Sequence, residues 1–458
     1  MKNRLLVGSA LLLASASLTA QWELVTPTAS PVGRGGQGMC FDPTTGGVLM
    51  FGGDTFGFPS GASNQTWSYD GSNWTLRTPT VAPPASVGVQ LVYDFNRGVF
   101  VTYGSLNTSM FGGASADRTW EYDGTNWTQV FPVHTPGGLG LYGMTFDSLR
   151  NKVVLYGGMP DNFFPIDAAD TWEYDGTDWT LVTTANSPGP LERPAMCFHT
   201  GAGKTVLFGG IDVQIGGVDT TWLYDGTNWT AAAVTGTKPA ARTGARMVHD
   251  EVRGICVLTG GQDMNGGALN DTWEFDLANL TWTQVPTAYT TGRLDAGLAY
   301  VPSRRQVVQF GGFDYVTFSA LADTWEFGAR VATFGTGCAG SNGVPAIAAV
   351  DAPRLGQNYT IQMTGLNPSI NLGVLMLGVE IAPVPLDFLG MTNCTAYVSP
   401  DVMLTSVGAA GATSWALPLN GSVSLIGATI FAQGLSLDPT GNPAWLVAAN
   451  AVKGTLGR

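Results

Sequence analysis

Five aspartates, Asp54, Asp161, Asp212, Asp263 and Asp314, each follow closely on a Gly pair. If a fold gathered them, they would form a ring of carboxylates suited to a cation or a polyol. The competing assignment is that each acid caps its own loop or pairs with an arginine. Four arginines, Arg34, Arg193, Arg242 and Arg293, lie some twenty residues before such glycines. A guanidinium grips a carboxylate or a sugar acid in a two-pronged fashion, or holds a structural Asp in the same way. Phe56, Phe58, Phe163, Phe164, Phe313 and Tyr315 follow the same glycines. Such rings either stack on sugars or pack their own loops. The chain has only His134, His199 and His249 as imidazoles. It has no phosphate-binding Gly loop, no metal-spaced Cys or His cluster and no nucleophile elbow. The residues therefore point to binding, with no catalytic residue, metal or cofactor expected.

The elements that must position these groups repeat along the chain. A Gly pair closes an apolar run at 52–53, 157–158, 209–210, 260–261 and 311–312, and Gly104 holds the place in the second unit. Successive first glycines are 51 to 53 residues apart. A Thr-Trp pair recurs at Trp67, Trp120, Trp172, Trp222, Trp273 and Trp325. A second Trp follows at Trp74, Trp127, Trp179, Trp229 and Trp282, but not in the sixth unit. Its counterpart stands at the other end, where residues 21–27 match residues 73–79. A repeat split between the termini predicts ring closure, which removes exposed sheet edges. Each unit reads as four strands, a to d; in the third they fall near 141–146, 152–156, 171–174 and 179–182. Asp42, Asp94, Asp147 and Asp250 begin the a–b turns. Asp-Gly pairs such as Asp70-Gly71 and Asp175-Gly176 make the c–d hairpins.

The apolar run, the Gly pair, the aromatic (Tyr69, Tyr122, Tyr174, Tyr224, Phe275) and the following Trp resemble the kelch family. The resemblance implies an all-β, six-bladed kelch-type β-propeller over residues 21–334, closed by its N-terminal strand. Strand alternation then places the short a–b and c–d turns on one face. The longer, variable b–c loops and d–a connections fall on the other. Function tends to sit on variable loops, so Asp54, Asp161, Asp212, Asp263, Asp314, Arg34, Arg193, Arg242, Arg293, Phe313 and Tyr315 are the expected ligand-binding set, on the b–c face. Copper oxidases similar to galactose oxidase share the fold, but they need two His and two Tyr, and His199 and His249 lie near the wrong face. The Asp70-Gly71 segment lacks the spacer residue of the sialidase Asp-box. Sialic-acid epimerases resemble the architecture without a matching motif.

The 458 residues carry a net charge of −13, almost all of it before residue 335. An acidic chain repels phosphate backbones, so no nucleic acid partner is expected. Residues 1–20 combine Lys2 and Arg4, an apolar run and small residues, the pattern of a signal peptide cleaved within 16–20. No later run is long enough to span a bilayer, so the expected location is secreted, extracellular or at the cell surface, with the periplasm an alternative. Cys40, Cys197 and Cys256 read as small apolar residues of the repeats, whereas Cys338 and Cys394 are expected to pair. Short apolar runs between turns over 335–458 predict a C-terminal β-sandwich domain. Residues 335–338, 353–356 and 430–433 resemble a terminal domain of secreted planctomycete-like proteins, which implies surface attachment or assembly. The expected function is a secreted recognition or scaffold protein that binds a glycan or protein. The alternative is a carbohydrate-active enzyme, sialic-acid epimerase-like or other, using Asp and Arg on the channel face.

Overall fold

The computed structural model describes residues 22–456 except 57–60, 105, 107–116, 161–167, 213, 286–290, 315, 316, 318, 329, 351, 352, 355, 392 and 420–427. The expected leader and the candidates Phe58, Asp161, Phe163, Phe164 and Tyr315 lie outside the described residues. Two compact units are present, Trp22–Phe327 and Gly328–Arg458. Both are all-β; a 3-10 turn at Asp387–Leu389 is the one helical element among the described residues.

The first unit contains six four-stranded antiparallel sheets. The third is representative, with strands Gly143–Asp147, Lys152–Tyr156, Thr171–Tyr174 and Trp179–Val182 in that order. Its second strand is buried on both faces, because a sheet lies on either side, and so it reads as a continuous apolar run. The Asp-Gly pairs turn the third strand into the fourth. The Asp175 carboxylate accepts the amides of Thr177 and Asp178, and Gly176 takes φ 93°. In the sixth sheet the strands Gly297–Val301, Gln306–Phe310 and Thr324–Phe327 are joined by Trp22–Val25, with Trp22 opposite Phe327 and Val25 opposite Thr324.

Three sets of bonds tie neighbouring sheets. At the periphery, each strand-d Trp donates its indole N–H to the strand-c Thr of the preceding sheet. The pairs are Trp22–Thr272, Trp74–Thr324, Trp127–Thr66, Trp179–Thr119, Trp229–Thr171 and Trp282–Thr221, at 2.8 to 3.0 Å. These indoles are 0–4% exposed, so they fill the gaps between sheets rather than offering a stacking surface. At the a–b turns, Arg97 binds Asp94 and Glu121, and Tyr174 of the next sheet donates to the same Glu121. Arg150, Asp147, Glu173 and Tyr224 repeat the pattern.

The third set is at the axis. The Gly36 amide donates to the Asp295 carbonyl, Asp295 to Gly244, Gly244 to Arg193, Arg193 to Leu141, Leu141 to Gly88 and Gly88 to Gly36. The series returns to its start. All six residues have φ between 52° and 69°, the left-handed region. Gly36, Gly88 and Gly244 enter it freely, while Leu141, Arg193 and Asp295 are held there at about 1 kcal/mol or more each.

In the second unit a five-stranded sheet, Arg330–Phe334, Leu446–Thr455, Thr429–Leu437, Leu372–Gly378 and Val402–Val407 in spatial order, shares one apolar core with the sheet of Ala346–Ala349, Asn358–Thr364 and Ala412–Pro418. Ile361, Met363 and Trp415 come from one sheet, and Leu375, Ala432 and Val452 from the other. Cys338 and Cys394 form a disulfide, Cα atoms 4.9 Å apart, beside Met376, Met391 and Leu435.

Trp22 has the burial and the Thr bond of its five internal counterparts. Trp22→Ala should therefore cost about as much as Trp229→Ala, roughly 3–5 kcal/mol, in urea unfolding of the first unit. A loss of only a few tenths would mean that the N-terminal strand contributes nothing to the sixth sheet.

Candidate functional site

The b–c loops are tied down at their roots. The residue entering each axial strand pairs with the first residue past the Gly pair, or past Gly104-Ser105 in the second unit: Gly35 with Asp54, Val87 with Leu106, Gly140 with Met159, Glu192 with Ile211, Thr243 with Gln262 and Leu294 with Phe313. The described aspartates at or beyond these bridges serve the loops themselves. Asp54 accepts the Phe56 amide at 2.8 Å, and Asp212 the amides of Gln214 and Ile215 at 2.8 and 3.4 Å. Asp263 accepts those of Asn265 and Gly267 at 2.9 and 2.8 Å, and Asp314 the Thr317 hydroxyl at 2.7 Å. Each is a side chain bonding its own turn. Phe313 is fully buried with Val87, Leu106, Leu141 and Leu294, and meets Phe56 edge to face at 4.6 Å. It packs the loop roots.

The arginines separate into two kinds. Arg34, Arg242 and Arg293 occupy one repeat position and are 0–1% exposed. Arg242 grips Asp271 at 2.5 and 2.8 Å, and Arg293 grips Asp323 at 2.9 and 3.0 Å. Each also donates to the carbonyl of the first glycine, Gly260 or Gly311, at 3.1 Å. In the first sheet Gln65 stands where the acid would be, 2.8 Å from Arg34. Without a carboxylate to offset burial, the Arg34 guanidinium is pushed down to about 10. Arg193 stands two residues further along than these three, in the axial ring itself. Its Nε lies 3.5 Å from Asp295 and 3.6 Å from Glu192. Arg246 approaches the same Asp295 at 3.4 Å and donates its Nε–H to the Ala296 carbonyl at 3.1 Å.

Asp295 and Arg246 were not among the sequence candidates. Their signal was present but faint: the ring position is Gly36, Gly88 and Gly244 in three repeats and departs to Leu141, Arg193 and Asp295 in the others. A residue other than Gly held at φ 52° is more often found where function or a strong local constraint requires it.

On the a–b side of this ring lies a cavity of about 220 Å³ lined by the first strands of all six sheets. One row of its wall is Met39, Leu91, Met144, Met196, Met247 and Leu298. A second row toward the mouth is Phe41, Tyr93, Phe146, Phe198, His249 and Tyr300. Gln37, Gln90 and Arg246 supply polar groups. Cys40 and Cys197 also face it and are free thiols, as is Cys256. His249 packs against His199 with ring centroids 4.1 Å apart and planes tilted by 34°. Burial first, and the His199 imidazole second, lower the His249 pKa to about 4 against the opposing pull of Asp250. Among the described residues, no three His, Cys, Asp or Glu side chains come together as a metal-holding group.

Residues 143–336 match the KLHDC2/KLHL20/DRC7 Kelch-repeats domain. No curated protein matches the chain. Among solved structures, that of YjhT is 13% identical, with a TM-score of 0.51, and covers 68% of this chain and 97% of its own. A novel fungal alcohol oxidase of the AA5 family, in complex with copper, is 15% identical over 92% of this chain and 85% of its own, with a TM-score of 0.42. The YjhT likeness is one of fold alone; the strands and the Kelch-repeats match together mark the first unit as an all-β, kelch-repeat propeller-like fold.

Two outcomes follow from the geometry. Trp67 donates to Gln65 as Trp273 does to Asp271 and Trp325 to Asp323, so the frame for a third ion pair is already built. Gln65→Asp should raise stability by about 1 kcal/mol in urea unfolding; a loss would mean that the Arg34 frame does not fit an acid. The depressed His249 pKa has a definite sign. Between about pH 6.5 and 4 the unfolded chain binds this proton and the folded chain does not, so the stability His249 contributes is present above pH 6.5 and lost as pH falls. Wild type should lose of the order of 3 kcal/mol more than His249→Gln across that window, and parallel pH curves would refute the shift.

Proposed function

We propose that this chain is a secreted recognition scaffold: a six-bladed kelch-type propeller, closed by its N-terminal strand, that presents its b–c and d–a loops to a protein partner. Closure is supported by the Trp22–Val25 pairing, the unbroken axial hydrogen bonds and the Trp–Thr ladder. The kelch match over 143–336 favours protein binding, since kelch domains bind proteins. The observation that carries the reading is the state of the loop face. The candidate acids Asp54, Asp212, Asp263 and Asp314 are committed to their own loops, and Arg242 and Arg293 to internal ion pairs, which leaves exposed apolar side chains as contact groups. Phe131, Val133 and Ile215 are 76–85% exposed there, and Met264 is exposed beside the Ile215 loop. Preorganised loops with apolar contact groups suit a protein interface. The leader pattern of residues 1–20 and the Cys338–Cys394 disulfide support an oxidising, extracytoplasmic home. We assign the unit from Gly328 onward, read as a sandwich, to location or assembly.

The test is cross-linking with mass spectrometry on the full chain, beside Phe131→Asp/Val133→Asp and Ile215→Asp/Met264→Asp variants. A partner bound by wild type and weakened at least about tenfold by either variant, with unchanged thermal unfolding, supports the loop face. A partner held equally by both variants overturns it. Binding on a glycan array that Asp212→Ala/Asp263→Ala/Asp314→Ala abolishes would replace the protein partner with a carbohydrate.

A further inference from the structure

The axial cavity opens on the face opposite the proposed loop interface, and its chemistry differs from that of any loop. Its wall is apolar and soft. Methionine fills irregular space and adapts to an occupant, and Met39, Met144, Met196 and Met247 form most of one row. Its floor is charged. Asp295, 1% exposed, lies between two guanidiniums, Arg193 on the ring side and Arg246 on the cavity side. The separations are 3.5 and 3.4 Å, longer than the 2.5 to 3.0 Å of the Arg242 and Arg293 pairs in the same unit. Arg193 has Glu192 as a further acid at 3.6 Å; Arg246 has only its share of Asp295. A guanidinium has five N–H donors. In Arg246, which lines the cavity, the Nε–H goes to the Ala296 carbonyl, and the planar fork has Asp295 as its charged partner at 3.4 Å, longer than an ordinary charge-assisted hydrogen bond. A buried, incompletely partnered Arg at the end of an apolar tube is a complement to an anion with an apolar body.

We propose that this cavity binds a small monocarboxylate, its carboxylate on Arg246 and its hydrocarbon body among the methionines, entering through the aromatic mouth. The head group is a carboxylate because the planar fork matches it with two parallel bonds. A single negative charge is selected because Asp295 sits behind the fork and Glu251 stands at the mouth, and both repel a dianion. Size is set by the volume: about 220 Å³ is the space of roughly seven waters, which admits a body on the order of ten heavy atoms. This site does not depend on the loop-face reading, and either stands if the other fails.

The experiment is isothermal titration of the full chain with phenylacetate and with its neutral counterpart phenylacetamide. Two variants go beside wild type, Arg246→Met, which keeps the bulk and removes the fork, and Met196→Trp, which fills the tube. The acid should bind at least about tenfold more tightly than the amide, and both variants should lose the acid while keeping the near-UV circular dichroism of wild type. Equal affinity for acid and amide overturns the charge-directed site, as does undiminished binding by Arg246→Met. No binding of phenylacetate or of hexanoate by wild type overturns the proposal entirely. Should Arg246→Met fail to fold, the acid-to-amide ratio and Met196→Trp decide between the same outcomes.

Discussion

Six backbone hydrogen bonds at the axis hold the first unit in register, each from an amide of one repeat to a carbonyl of the one before. They require every repeat to place one residue in the left-handed region, at the point where the chain turns into its innermost strand. With the inner ends so held, the rest of each sheet is placed by the outer bonds. The indole of one sheet reaches the Thr of its predecessor, and the Arg–acid–Tyr sets repeat at the a–b turns. Apolar runs alone would allow sheets to slide past one another; directional bonds at both radii do not.

The same constraint explains where chemistry is available and where it is not. Loops that must pass from one tightly placed strand to the next need their backbone amides satisfied, and the b–c aspartates do this. The buried arginines Arg242 and Arg293 neutralise the acid ahead of the third strand and cap the glycine carbonyl at the same time. Polar residues that look poised for a ligand are thereby used in the frame. Where the repeat departs from its own rule, at Arg193 and Asp295, the side chains enter the axis, and charge reaches the interior of an otherwise apolar tube.

Much of this was written in the spacing. The 51 to 53 residue period, the Thr-Trp pairs and the match between residues 21–27 and 73–79 determined the strands and which end completes the sixth sheet, because short-range patterns repeated in register leave few other pairings. The Cys338–Cys394 pair was legible too, since those two thiols lie apart from the repeats. What each polar side chain faces was not legible. Asp212 and Asp271 are both acids near a loop, yet one accepts its own amides and the other a guanidinium 29 residues distant. Arg193 reads like Arg242 until a two-residue offset carries it into the axial ring. Asp295 and Arg246, 49 positions apart, meet only because neighbouring sheets bring their first strands side by side. Sequence period determines pairing along strands because that is local and repetitive. Tertiary structure alone decides convergence across the axis, because those contacts join residues that no period relates.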